Sequence, residues 1–220
     1  MDLTIEKGDV IVFDLDDTLY NEIDYLKSAY EEISIILEPE NNLFLYAQMF
    51  SLYRNGKNVF ESIQKNYPIT LDQLLAIYRN HLPNISPFDH VETTFAEIKK
   101  RDGKLAIITD GRSLSQRNKL EQLGLAHLFD YILISEEIGT KKPNELNYLK
   151  VQETLNANRY TYIGDNILKD FVTPNKLGWR TIGIIDNGKN IHCAGNLSKI
   201  PIEYMPKGWI KNYAELTITD

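Results

Sequence analysis

The chain has 220 residues, one large domain or two small ones at roughly 100–200 residues per domain. Hydrophobic residues make up 43% and charged residues 25%, enough for a sizeable core, which excludes a disordered tail, a coiled coil and a collagen-like rod. With 24 Lys and Arg against 31 Asp and Glu the net charge is -7, so nucleic acid and anionic membrane surfaces are poor partners by bulk charge. The only cysteine, Cys193, permits no internal disulfide. Met1 to Val10 lacks the layout of a signal peptide, and no apolar run is long enough to span a bilayer. These features predict a soluble, cytoplasmic protein.

The first apolar run, Val10 to Phe13, reads as a strand covered on both faces. Residues 21–87 then carry four helical patterns and no strand. The first helix places Ile23, Leu26, Tyr30, Ile33 and Leu37 on one face, and the second Leu43, Tyr46, Ala47 and Phe50. Phe60, Ile63 and Tyr67 mark the third, and the fourth opens with Thr70 and Gln73 at capping-box spacing. From there strands and helices alternate: a helix over 89–101, a strand at Leu105–Ile108, and a helix over 113–123 with Ser113 and Gln116 at capping-box spacing. A strand at Ile132–Ile134, a helix over 144–156, a strand at Tyr160–Ile163, a helix over 167–177 interrupted by Pro174, and a strand at Thr181–Ile185 follow. Alternation of this kind predicts an α/β fold, a doubly wound and mainly parallel five-stranded sheet. The expected division is a core of residues 1–20 and 88–220 with a helical cap at 21–87.

The carboxylates stand at the ends of the apolar runs. In an extended chain Asp14 and Asp16 share a face, with Leu15 pointing the other way. Two carboxylates so close repel unless a cation lies between them or one holds a proton. Asp165 and Asp170 follow the run Tyr160–Ile163, and ligands of an open parallel sheet bind at that edge. Thr109-Asp110-Gly111 ends another strand just before a helix, where free amides suit an oxyanion, and Lys141-Lys142 follows the next. Carboxylates, a cation site, a hydroxyl, amides and an ammonium together suit phosphoryl transfer.

In order, these residues resemble the four motifs of the haloacid dehalogenase superfamily. Asp14-Leu15-Asp16-Asp17-Thr18-Leu19 is similar to the first, with Asp17 where Gly is also common. Thr109 matches the second, Lys142 before Pro143 the third, and Gly164-Asp165 through Asp170 the fourth. The helical block resembles the cap often inserted after the first motif. The resemblance implies sheet order 5-4-1-2-3 and a phosphatase that hydrolyses a small-molecule phosphate ester through an aspartyl-phosphate. Asp14 would be the nucleophile and Asp16 the acid and then the base. Thr109 and Lys142, with amides near Asp110 and Gly111, would hold the phosphoryl oxygens. Magnesium would bind Asp14, the main-chain carbonyl of Asp16, and Asp165. Asp170 would lie behind as a water-mediated ligand or an orienting partner of Lys142.

Other readings use the same residues. A 2-haloacid dehalogenase typically lacks the second aspartate of the first motif, which is present here as Asp16. A phosphomutase keeps every motif. A phospho-acceptor signalling module of the receiver type lacks a long insert after the first strand. Asp17 reads as a turn residue, and His192-Cys193 as a loop pair without chemistry. Lys141 reads as a solvated neighbour of Lys142, with a one-position shift the alternative. Arg54-Asn55-Gly56-Lys57-Asn58 reads as a polar turn, either solvated or dipping toward substrate.

Overall fold

A computed structural model describes residues 1–220. The short strand β1 (Asp2–Thr4) precedes β2 (Val10–Phe13), and four helices follow: α1 (Glu22–Leu37), α2 (Asn42–Arg54), α3 (Val59–Asn66) and α4 (Leu71–Asn80). Next come α5 (Val91–Lys100), β3 (Lys104–Thr109), α6 (Ser113–Gln122), β4 (Tyr131–Ile134), α7 (Ser135–Ile138), α8 (Glu145–Leu155) and β5 (Tyr160–Gly164). The chain closes with α9 (Val172–Lys176), β6 (Arg180–Ile184), β7 (Gly208–Ile210) and β8 (Thr217–Thr219). No helix is long and apolar enough to cross a membrane.

The main sheet is parallel throughout, in the order β4-β3-β2-β5-β6-β7. Its first five strands follow the expected order. The sixth, β7, corrects the expected count of five. Gly208-Trp209-Ile210 is too short to show a hydrophobic period and earns its place only by pairing with β6. β1 and β8 pair separately, parallel to each other.

All four residues of β2 are buried because each face of the sheet is covered. Ile11 and Phe13 join one core with Leu105, Ile107, Phe95 and Leu120. Val10 and Val12 join the other with Ala106, Tyr148, Val151 and Tyr162. The alternation of neighbours between two cores is the strand's period of two seen in packing. A third cluster belongs to the helical insertion: Leu26, Tyr30 and Ile33 of α1 meet Leu45, Met49, Val59, Ile63 and Leu74. Both halves of the Thr70–Gln73 capping box are formed.

Two expected helical details differ. Arg112, not Ser113, is the N-cap of α6, and Gln116 turns inward instead of back to the cap. Residues 166–170 form a turn, closed by the Asn166 amide donating to Asp170 Oδ2 at 2.9 Å, so α9 begins only at Val172. Pro174 then sits in the first turn of a five-residue helix, where no intrahelical amide is needed.

The C-terminal segment braces the loop after β2. The buried Tyr213 hydroxyl donates to the Thr18 carbonyl at 3.1 Å. Tyr213→Phe leaves that carbonyl without a partner and is expected to lower unfolding free energy by about 1–2 kcal/mol, read by urea denaturation. An unchanged midpoint and slope would show that the bond does not brace the loop.

Candidate active site

The carboxyl ends of β2, β3 and β5 and the loop after α7 bring Asp14, Asp16, Thr109, Asp110, Lys142 and Asp165 around one cavity of about 90 Å³. Two predicted residues are not on its wall. Asp170 is fully buried behind it. Gly111 lies off the wall: its amide donates to Ser135 Oγ at 2.9 Å, and the Ser113 amide donates to Glu136 at 2.8 Å. Two amides at the start of α6 are thus taken by α7. The amides of Leu15, Asp16 and Asp110 carry no hydrogen bond within the chain, so the free donors lie there.

Lys142 is the centre of the charge arrangement. Its Nζ lies 2.6 Å from Asp14 Oδ1 and 2.8 Å from Asp170 Oδ1, and donates to the Tyr162 hydroxyl at 3.2 Å. That hydroxyl in turn donates to Asp170 Oδ1 at 3.2 Å. The Asp110 carboxylate holds the same loop by accepting the Lys142 amide at 3.0 Å. Lys142 is buried and Lys141 exposed, so of the adjacent pair it is Lys142 that enters the site. Gly164 allows this packing, because a Cβ there would press into the Asp170 carboxylate.

Asp14 and Asp16 line the same cavity but do not share a partner. Asp16 Oδ1 accepts from Lys119 Nζ at 2.7 Å and from the Tyr20 hydroxyl at 2.5 Å, and its Oδ2 accepts from Gln116 Nε2 at 3.0 Å. Asp14 and Asp16 thus each have their own ammonium, where the extended-chain reading has the two facing each other with a cation between them or a proton on one. The chain bends after Asp14: Asp17 adopts a left-handed φ of 55°, which Asp tolerates better than most residues. Its carboxylate accepts the amides of Glu22 and Ile191, tying together the insertion, the loop after β2 and the loop after β6.

Lys119, Gln116 and Tyr20 were not among the predicted site residues. The sequence signal was present in α6, where Gln116 and Lys119 share the face that carries Leu120 and Leu123. A buried polar pair on an apolar face calls for a partner. Gln116 also donates to Thr109 Oγ1 at 2.5 Å, and Gly111 leaves room for its side chain. Lys119 lies over the Tyr25 ring of α1, 4.3 Å from its centroid. His192, read as a loop residue, lines the cavity from the loop after β6. Arg54 and Lys57 are exposed and do not line it.

The electrostatics leave room for a cation. Burial pushes Asp165 up to about 9, helped by Asp170 and Asp14. Burial likewise pushes Asp14 up to about 7, although Lys142 opposes it. Burial also works against the charge on Asp16, but Lys119, Tyr20 and Gln116 outweigh it and hold that carboxyl below its usual range. Burial disfavours a charged Lys142 too, yet Asp14 and Asp170 lift it well above an ordinary lysine. One oxygen each of Asp14, Asp165 and Asp170 lies within 4.8 Å of the others. All are hard donors, and Asp170 already spends its Oδ1 on Lys142 and Tyr162. Asp14, whose Oδ1 alone meets Lys142, and Asp165, which has no ammonium partner, could hold a divalent ion beside it.

The profile of the family described as haloacid dehalogenase-like hydrolase matches residues 11–184. A glyceraldehyde 3-phosphate phosphatase of Methanocaldococcus jannaschii is 29% identical over 192 residues, covering 80% of this chain and 84% of that protein. A phosphoglycolate phosphatase of Neisseria meningitidis is 27% identical, covering 84% of this chain and 83% of that protein. Among solved structures, the HAD-hydrolase YfnB of Bacillus subtilis, bound to magnesium, superposes with a TM-score of 0.61 at 19% identity, covering 96% of this chain and 97% of that one. A 2-haloacid dehalogenase of Pseudomonas syringae gives 0.57 at 20% identity with 96% of both chains covered, so the fold is shared across different chemistries. The match over most of its length makes this chain a member of the haloacid dehalogenase-like hydrolase family.

Proposed function

We propose that the protein is a cytoplasmic, magnesium-dependent phosphomonoester hydrolase that acts on a small soluble phosphorylated metabolite through an aspartyl-phosphate at Asp14. In this reading residues 1–20 and 88–220 are the catalytic core and 21–87 the cap. The observation that carries it is the state of Asp14. Lys142 holds its Oδ1, its Oδ2 has no hydrogen-bond partner, and Asp165 lies close enough to share a cation with it. The relatives named as phosphatases of glyceraldehyde 3-phosphate and phosphoglycolate point to the same class of ester.

Asp14 Oδ2 attacks phosphorus, the ester P–O bond breaks, and the alcohol leaves with a proton from Asp16. Asp16 then takes a proton from water as its oxygen attacks the phosphorus of the aspartyl-phosphate. Inorganic phosphate departs and the Asp14 carboxylate is restored. Lys142, the Thr109 hydroxyl and the free amides of Leu15, Asp16 and Asp110 are the donors for the phosphoryl oxygens. Asp14, the Asp16 carbonyl and Asp165 would hold magnesium, which would supply positive charge to offset the repulsion between phosphoryl group and carboxylate. Lys119, Tyr20 and Gln116 keep Asp16 in the ionised form that the water-activating half requires. To donate a proton in the first half, Asp16 must loosen its contact with Lys119. The Asp16 carboxylate also favours this reading over dehalogenation, whose family branch typically lacks that acid.

Asp14→Asn is expected to lower turnover of an aryl phosphate by more than about a thousandfold with an unchanged circular dichroism spectrum. Retained activity would remove Asp14 as nucleophile. Asp16→Asn should cost about 10²–10⁴-fold in kcat, and a comparison of esters with good and poor leaving groups should show the larger loss on the poor one. Equal losses would leave Asp16 without an acid role.

The raised pKa values set a direction for magnesium affinity. Protons compete for Asp14 and Asp165 below about 7 and about 9, so affinity should rise from pH 6 to 9, by up to about tenfold per unit for each proton displaced. Calorimetry in buffers of different ionisation enthalpy should then show proton release on binding at pH 7. Affinity independent of pH would place the ion elsewhere.

A further inference from the structure

The phosphoryl cavity, at about 90 Å³ with eleven lining residues and none hydrophobic, has no room or surface for the alcohol part of an ester. Pockets that enclose whole ligands run to about 300–1,000 Å³. A cavity of about 820 Å³ adjoins it, and the two share Asp165, Asn166, Lys169 and His192. Its walls come from the turn after β5, the end of β6, the loop that follows, and Trp209 of β7. Leu168, Ile185, Leu197 and Trp209 all line it while 50%, 43%, 43% and 37% exposed. Four large apolar side chains left half in solvent around one concavity mark a binding surface.

The wall is a built one. The Asp186 carboxylate accepts the amides of Gly188, Lys189 and Asn190, which folds the start of the loop onto itself. Asn190 Nδ2 then donates to Asp165 at 2.9 Å and the Ile191 amide to Asp17 at 2.9 Å, so the loop is fastened to the acids of the site. A further large cavity, about 490 Å³ beside α1, shares no residue with the phosphoryl cavity.

We propose that the cavity over β5, β6 and β7 receives the alcohol part of the substrate, and that the preferred substrates are phosphomonoesters of bulky apolar or aromatic alcohols. This rests on the phosphatase reading above and names its substrate class. Lys169 and His192, shared by both cavities, stand where the phosphoryl group joins the apolar body.

The test compares 1-naphthyl phosphate with 2-phosphoglycolate in the wild-type protein and in a Leu168→Gln, Leu197→Gln double variant. Both positions are half-exposed outside the long helices and strands, so the fold is kept. The wild type should show at least tenfold higher kcat/KM for the naphthyl ester. The variant should raise KM for that ester tenfold, with its kcat and both constants for 2-phosphoglycolate within twofold. A wild-type preference for 2-phosphoglycolate, or equal losses on both esters, would overturn the assignment.

Cys193 supplies a readout without turnover, being the chain's only cysteine, exposed, and on the cavity wall. Naphthylmethylphosphonate should slow its alkylation by iodoacetamide at least fivefold, and inorganic phosphate should leave the rate unchanged. No protection by the phosphonate would overturn the assignment. Protection without hydrolysis of either ester would instead overturn the phosphatase reading while upholding the cavity as the apolar site.

Discussion

Everything at this site depends on one buried ammonium. Lys142 is sequestered between Asp14 and Asp170, with a tyrosine hydroxyl as its third partner. Breaking a pair of this kind by removing one member typically costs about 3–5 kcal/mol, because a charge is stranded out of water. The lysine also leaves the balance unfinished. It pairs with Asp14 and Asp170 but not with Asp165, whose pKa is pushed up by burial and by the neighbouring Asp170 and Asp14. A divalent ion bound there would offset that repulsion, and burial, opposed by Lys142, pushes Asp14 up to about 7.

A second lysine performs a parallel task on the other side of the cavity. Lys119 neutralises Asp16 and lies under Tyr25 of the insertion, while Ser115 and Asn118 of the same helix bond to carbonyls at the end of α4. The contact that sets the protonation of Asp16 is thus also where the helical insertion rests on the sheet domain. Any shift of the insertion would be felt by the acid first. Asp17 has a matching role through its backbone links to Glu22 and Ile191.

Fold likeness by itself does not choose the chemistry, since a dehalogenase superposes almost as well as the magnesium-bound hydrolase. The choice comes from residues. A carboxylate at position 16 with three donors around it is held ionised, and a cavity without an apolar wall is suited to a small anion.

The sequence by itself determined the strand ends, since short apolar runs followed by Asp14, Thr109 and Asp165 follow from a parallel sheet covered on both faces. It also determined the four-helix insertion, whose apolar positions recur at helical spacing. Local patterns carry such facts because each concerns residues a few positions apart. What lies far apart in sequence was left to the tertiary structure. β7 is too short to announce itself, amides at the start of α6 are taken by Ser135 and Glu136 of α7, and Gln116 abandons a local cap for a partly buried carboxylate. Only the folded chain could bring Lys119 to Asp16, 103 residues away, or choose Lys142 over Lys141, because burial and charge balance are properties of neighbours in space.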